Sequence, residues 1–577
     1  MYRSLKAKLA QREQGKNSTE KVLDSKESET KIQASVESPE IILDSKPSQK
    51  DVSTEVVRKP KIKILSVAKV QNTAAKSTLV QNFEKSSEGS SLNPLMILEY
   101  FARLTPESIA IVNEKRSLTF EQLNIIVRQF ALKFQKHGIE PGDLVVTKLP
   151  ITLDWISTLA LMSIGAITCS KAGRATIDSS FKASYLISDG SLISQSTDTI
   201  IMNDSWLHDA EQLDPNQLIA ADFDDAAPSR VIFTNGALNN PKAVGLSLKA
   251  INERANHSNR TWLNEKSVMT LMDLSAGLGF FTFYSLFIRG EKIVTTSQFT
   301  LDVVRLAHSQ EIEVFVASTL RVMQLMELVK RTQSTLPKLG KVIISGNIPT
   351  LAALRRVDQV LGVEVLNIYG STECGDISLL PVNETTQAGD MGWIYPEVTV
   401  GIFTAQGEAL ASGEQGRIAT RSTSMVHEYF RTAQPNRKVF DEGWFFSGDI
   451  GYVSKDGRLV ITGRESELIS IGKLKVNSHS IEELVLDYVG VIDCAAFAFT
   501  TKAKVPSLGV ALVGDKDLNL KIMTASLSRE LGEMAPTTYF VTESIPRDVN
   551  GKVEMVLLLK AINEKIATKG REKGESK

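Results

Sequence analysis

Four short stretches of the chain carry residues with chemistry in reach. Arg230–Leu246, RVIFTNGALNNPKAVGL, is a buried-strand run, a Gly/Asn-rich turn and a Pro-Lys pair. Such a loop can present backbone N–H groups to phosphate oxygens while Lys242 adds a point charge; the same Asn-Asn-Pro is also an ordinary turn. Val363–Glu373, VEVLNIYGSTE, is a strand and turn that delivers a hydroxyl and a carboxylate side by side. Read alone, Ser371 or Thr372 there can instead be a helix N-cap. Gly443–Val476 sets Asp449, behind Gly448, at the mouth of a hairpin and Arg464 where the chain leaves its second strand, ahead of the polar joint Glu465-Ser466-Glu467. Pro546–Val553, PRDVNGKV, puts Lys552 after an Asn-Gly turn, where a lysine is ordinarily only solvated.

The elements that must position these groups follow from pattern. Ile450–Val453 and Arg458–Thr462 read as strands flanking Ser454–Gly457, with Asp456-Gly457 supplying the positive φ angles of a tight turn. Upstream, Asn93–Leu104 has helical spacing, Ile109–Val112 is a strand, and a long amphipathic helix opens after Ser117–Glu121. Thr119 with Gln122 has capping-box spacing there, and Ser117 with Glu121 is an alternative. Strand-like and helical runs then alternate, which predicts α/β layering. Downstream of the joint, Ser480 and Glu483 form a second capping box for a helix over Ile481–Tyr488, followed by strands at Asp493–Phe499 and Gly509–Val513 and a helix near Lys521–Leu531.

At 577 residues the chain is too long for one ordinary core. It is 42% hydrophobic and 23% charged with a net charge of −1, so it has no general field for nucleic acid. Cys169, Cys374 and Cys494 are scattered, against a disulfide framework or a metal cluster. The apolar runs near Ile156–Ile167 and Leu278–Ile288 are shorter than the roughly 18–20 residues of a membrane span. The start has no apolar signal core, and the expectation is a cytoplasmic protein. Residues 1–91, rich in Lys, Ser, Glu and Thr, read as a disordered tail, with Lys59–Val70 its one basic-apolar patch.

Taken together and in this order, the motifs resemble the adenylate-forming (AMP-dependent synthetase/ligase) superfamily, from about Leu92 to Leu559. Tyr369-Gly370-x-Thr372-Glu373 agrees fully with its adenine and magnesium motif. Gly448-Asp449 and Gly463-Arg464 agree with its ribose and hinge segment, and the end of Pro546–Val553 with its final Gly-Lys. The phosphate loop agrees at Thr234, Gly236, Pro241 and Lys242, but Asn235, Ala237, Leu238, Asn239 and Ala243 depart from the family pattern. Ser345-Gly346-Asn347 stands where the family has Gly-Gly-Glu, Leu248 where many members have histidine, and Glu467 where the hinge is usually Asp or Lys.

The resemblance implies an α/β fold: a large domain of layered sheets with a β-rich subdomain over 92–466, a small mobile α+β lid over 467–563, and a charged tail over 564–577. It implies ATP-dependent activation of a fatty or aryl acid as acyl-AMP. Transfer would follow to a thiol, of CoA or of the phosphopantetheine on an acyl carrier protein. It implies a nucleotide site of Thr234, Gly236, Lys242, Gly346, Tyr369, Gly370, Thr372, Asp449 and Arg464, with Glu373 holding Mg²⁺. Lys552, Thr372 and Arg464 are the implied catalytic groups. Phe280, Phe281, Phe283 and Tyr284 either line an acyl pocket or are core. The alternative is a relative that binds a nucleotide or acyl-adenylate with little or no turnover.

Overall fold

The computed structural model describes residues 93–572 except 172–181, 195, 220–223, 235–241, 297–298, 347–350, 433–437, 466–467, 472–473, 501–505 and 548–552. By backbone contacts the chain divides into Met1–Ser66 and Val67–Lys577, and all that follows concerns the second unit. The tail expectation therefore lies outside the described residues, as do Gly236, Glu467 and Lys552.

Two large sheets position the site. The first has six strands: β1 (Leu144–Lys148), β2 (Ile167–Ser170), β3 (Tyr185–Ser188), β4 (Asp198–Ile201), β5 (Pro228–Thr234) and β6 (Lys242–Ser247), in the spatial order β4-β3-β1-β2-β5-β6. Its pairs are parallel except β5–β6, a hairpin that sets Thr234 opposite Lys242. Helix α1 (Phe120–Lys136) opens with the expected capping box: Gln122 N–H donates to Thr119 Oγ1 (3.3 Å) and Thr119 N–H to Gln122 Oε1 (3.0 Å). That box leaves Leu123, Ile126, Val127, Phe130 and Phe134 on one buried stripe, as the helical period requires.

The second sheet has fourteen strands. Its parallel part ends with β7 (Lys341–Ser345) beside β8 (Glu364–Ser371). From there it turns antiparallel, through β9 (Gly375–Pro381), β10 (Asp390–Ile394), β11 (Trp444–Val453) and β12 (Arg458–Arg464). β8 is thus where a parallel sheet becomes a β-rich one.

The two sheets meet through buried helices. α2 (Ile151–Ser163) and α4 (Gly277–Ile288) are buried along nearly their whole length, and α3 (Leu248–Thr261) packs beside α4. Trp155 of α2 meets Phe283 and Phe287 of α4 edge to face, at 5.3 and 5.8 Å between ring centres. Pairs of this kind contribute about 0.5–1.5 kcal/mol each beyond area burial. Phe280, Phe283 and Tyr284 have no exposed surface, which places them in this core packing.

After Arg464 the chain builds smaller sheets of its own. β13 (Leu468–Ile471) and β14 (Leu474–Asn477) form a hairpin, and β15 (Val491–Thr500), β16 (Pro506–Gly514) and β17 (Thr538–Val541) a three-stranded sheet. Helix α5 (Ser478–Leu486) and the helix Leu520–Leu531 cover one apolar cluster around Ile481, Val485, Leu508, Val510 and Leu527.

Two local expectations are corrected. Among the turn residues Ser454–Gly457 only Gly457 has positive φ (+91°); Gly457 N–H donates to Ser454 O, and Ser454 and Arg458 close the ladder. The loop is a type I turn completed by one left-handed glycine, which leaves Asp456 in ordinary backbone space. Ser480 is not the cap of α5. β14 runs straight into the helix, so the cap falls on the strand's last residue, Asn477, whose Oδ1 accepts from His479 N–H at 2.9 Å.

Candidate active site

The site forms where β7 and β8 end. A cleft there is lined by Gly346, Asn367, Ile368, Tyr369, Gly370, Met391 and Arg464. β8 and β9 are joined by a turn in which Ser371 pairs with Gly375, and Cys374 N–H donates to Ser371 Oγ (3.0 Å). Thr372 and Glu373 sit on that turn, so the helix-cap alternative does not apply. A side chain at Gly370 would come within 2.5 Å of Gly375 O, so only glycine lets the two strands approach this closely.

Asp449 and Arg464 are cross-strand partners on β11 and β12. Arg464 Nε donates to Asp449 Oδ1 and the Tyr369 hydroxyl to Asp449 Oδ2. Asp449 is 1% exposed, and its N–H donates to Ser447 Oγ at 3.2 Å. Each carboxylate oxygen keeps a second lone pair, so a pair of ribose hydroxyls can still be accepted. Burial, with the Asp449 carboxylate next to it, holds the Tyr369 phenol well above its usual range, so this hydroxyl stays a donor.

Glu373 is buried. Its Oε1 accepts from the Tyr429 hydroxyl at 3.0 Å. Burial raises its pKa; bonds from a backbone N–H and Tyr429, and the charges of Arg254 and Arg464, oppose the rise without cancelling it. The segment carrying Tyr429 stitches the two sheets together. Val426 N–H donates to Glu373 O (2.9 Å), and Phe430 N–H donates to Ala243 O on β6 (2.7 Å). Glu373 is thereby tied to the same hairpin that holds Thr234 and Lys242. The hairpin's tip, 235–241, lies outside the described residues.

One buried cation holds this arrangement that sequence reading missed. Arg254, on α3, donates to Thr372 O (2.8 Å), Glu373 O (3.0 Å) and Ser424 O (2.7 Å). Its guanidinium also faces the Phe281 ring at 5.7 Å. Burial lowers its pKa to about 10, still far above neutrality, so it remains charged. A planar five-donor fork suits three carbonyls converging on one point. No local signal marks it, since its partners lie 118 to 170 residues away.

Of the expected nucleotide site, Gly346, Tyr369, Gly370 and Arg464 thus converge on one cleft, with Asp449 bonded to two of its wall residues. Thr372 and Glu373 flank it on the turn, and Thr234 and Lys242 close the neighbouring hairpin. Among the described residues no group of three or more His, Cys, Asp or Glu side chains is placed to hold a metal. A single buried carboxylate does fit Mg²⁺, which keeps several waters and takes its other ligands from phosphates.

The acid strength of Glu373 gives a direct test on the unliganded protein. A raised folded pKa means that its contribution to stability is present below the unfolded pKa, near about 4.3, and is lost as pH rises through the folded value. Glu373→Gln should therefore melt like the parent at about pH 4. At neutral pH and without magnesium it should melt at a higher temperature. A gap that shrinks as pH rises would show that the carboxylate is stabilised as its anion.

A model of the family described as AMP-binding enzyme matches residues 98–430. The 4-chlorobenzoate–CoA ligase of Arthrobacter sp. is 22% identical over 486 residues, covering 79% of this chain and 93% of that protein. Chalcone synthase cfoA of Aspergillus candidus is 24% identical over 80% of this chain, which spans only 18% of that much longer relative. Among solved structures, the o-succinylbenzoate coenzyme A synthetase of Bacillus subtilis in complex with ATP and magnesium ion superposes with a TM-score of 0.68 at 20% identity. The match covers 80% of this chain and 98% of that one. At that identity the likeness establishes the fold.

Proposed function

This chain belongs to the AMP-binding enzyme family, and we propose that it works as an AMP-forming acid–thiol ligase on a fatty or aryl carboxylic acid. In the first half-reaction a carboxylate oxygen of the acid attacks the α-phosphorus of ATP. The bond to the bridging oxygen breaks, pyrophosphate leaves and acyl-AMP remains. In the second, a thiol sulfur attacks the acyl carbon, the bond to the AMP phosphate breaks and the thiol proton is released. The acceptor is CoA or the phosphopantetheine of a carrier protein.

The observation that carries this reading is the convergence of Tyr369, Asp449 and Arg464, from β8, β11 and β12, beside the Arg254-anchored turn that bears Thr372 and Glu373. In this reading Asp449 takes the ribose hydroxyls, Tyr369 packs against adenine, and Arg464 bonds the sugar or the α-phosphate. Thr372 donates to phosphate, and Thr234, Gly236 and Lys242 cradle the leaving phosphates, with Gly346 on the cleft wall. Glu373 would hold Mg²⁺, which supplies charge neutralisation of the polyphosphate. Lys552 meets the charge that grows at the α-phosphate, so the lid, 467–563, must close on the cleft for the first step and turn about the joint for the second. Among the described residues no helix is long and apolar enough to cross a membrane.

Acid-dependent exchange of labelled pyrophosphate into ATP, over a panel of fatty and aryl acids, tests the proposal. CoA and a phosphopantetheinylated carrier protein are then compared as acceptors. Absence of exchange with every acid would favour the nucleotide-binding alternative, which the departures at Ala237, Leu238 and Asn239 motivate.

A further inference from the structure

Asn477 touches both sides of the joint at once. Its Oδ1 caps α5 by accepting from His479 N–H (2.9 Å), and its Nδ2 donates to Thr462 O on β12 (3.2 Å). Thr462 precedes the joint and Asn477 follows it, so one amide group caps the first lid helix and pins that helix to the large domain. The fit is close. A side chain at Gly463, where φ is +158°, would fall 1.3 Å from Asn477 Nδ2, so the amide occupies the space that only glycine leaves there. Rotation of the lid about the joint separates residues before it from residues after it, and must break the bond to Thr462 O while leaving the cap intact.

We propose that Asn477 is a positioning residue that latches the lid in the docked orientation seen here, and so sets how the protein divides its time between the two half-reactions. The inference rests on the ligase reading for its consequence, though the latch itself is a property of the unliganded chain. The two functions of the amide can be separated chemically. Aspartate and serine are as good N-caps as asparagine. Aspartate turns the donor into an acceptor facing a carbonyl, and serine is too short to reach it.

The native cysteines Cys169, Cys374 and Cys494 are all buried, so spin labels can be directed to cysteines introduced at the exposed positions Glu408, in the large domain, and Ile522, in the lid. The label-to-label distance distribution of the unliganded protein should show one dominant population. In Asn477→Asp and Asn477→Ser it should shift or broaden, with the docked-to-undocked ratio reduced roughly tenfold, as losing one net hydrogen bond allows. Melting temperatures should stay near the parent's. The ratio of pyrophosphate exchange to thiol transfer from supplied acyl-adenylate should change by a similar factor.

Superposable distributions in parent and variants would overturn the latch, as would a parent that already populates two distances equally. Variants that melt far lower and lose both half-reactions together would show that the residue is only a helix cap. A parent with neither half-reaction would remove the ligase reading, while the distance measurement would still decide the latch.

Discussion

Lys552→Ala is expected to lose acid-dependent pyrophosphate exchange by two or more orders of magnitude while still passing a supplied acyl group to the thiol. The reasoning is electrostatic. Negative charge concentrates at the α-phosphate as the carboxylate attacks, and a cation placed there contributes roughly 3–4 kcal/mol to the transition state, by analogy with oxyanion donors. That corresponds to a rate factor of roughly 10²–10³. In the proposed second half-reaction charge moves at the acyl carbon, with the lid turned away, and the lysine is assigned no part. Kinetics read separately for the two halves therefore distinguish a transition-state role from a structural one. Equal loss in both halves would show that Lys552 supports folding or both lid orientations, and the assigned role would be withdrawn.

The second large effect concerns ATP against AMP. Thr234 and Lys242 stand opposite each other on the β5–β6 hairpin, on either side of the loop 235–241. Its sequence carries Ala237 and Leu238 where the family has hydroxyls. Two missing hydroxyl bonds to a charged phosphate cost about 3–6 kcal/mol if nothing replaces them. That is roughly a hundredfold to ten-thousandfold in affinity. In the proposed function the loop serves the leaving phosphates, whereas Asp449, Arg464 and Tyr369 serve the nucleoside end. ATP should therefore show an unusually high KM, while AMP or an acyl-adenylate binds ordinarily. Ala237→Thr, Leu238→Thr and Asn239→Gly together should lower the ATP KM, since the hydroxyls add donors and glycine lets the backbone approach phosphate. Tight ATP binding by the parent would mean that Asn235, Asn239 and Asn240 supply the donors. No exchange in either protein, with any acid, would end the ligase reading.

Much of this molecule was legible along the chain, wherever a structure is built from neighbours. The Thr119–Gln122 capping box, strand β5, the β11–β12 hairpin and the alternation of strands and helices rest on bonds or periods spanning a few residues, so local spelling determines them. The motif containing Tyr369, Thr372 and Glu373 and the pair Asp449/Arg464 belong with these, because a turn or a cross-strand register brings each set together. Local spelling failed where two short signals competed. Asn477 rather than Ser480 caps α5, because the strand before the helix ends at Asn477.

What the sequence by itself determined was the family, the α/β class and most of the residues that the structure gathers around one cleft. Only the tertiary structure decided how those residues are held. Tyr369 bonds Asp449 across 80 residues of chain, Tyr429 bonds Glu373 across 56, and Arg254 gathers three carbonyls from two distant segments. It also placed Phe280, Phe283 and Tyr284 in the core between the sheets, against Trp155 of another helix. The physical reason is common to all of these. A buried polar group must find a partner wherever the packing of two sheets happens to bring one, and that partner's place in the sequence carries no periodicity to read.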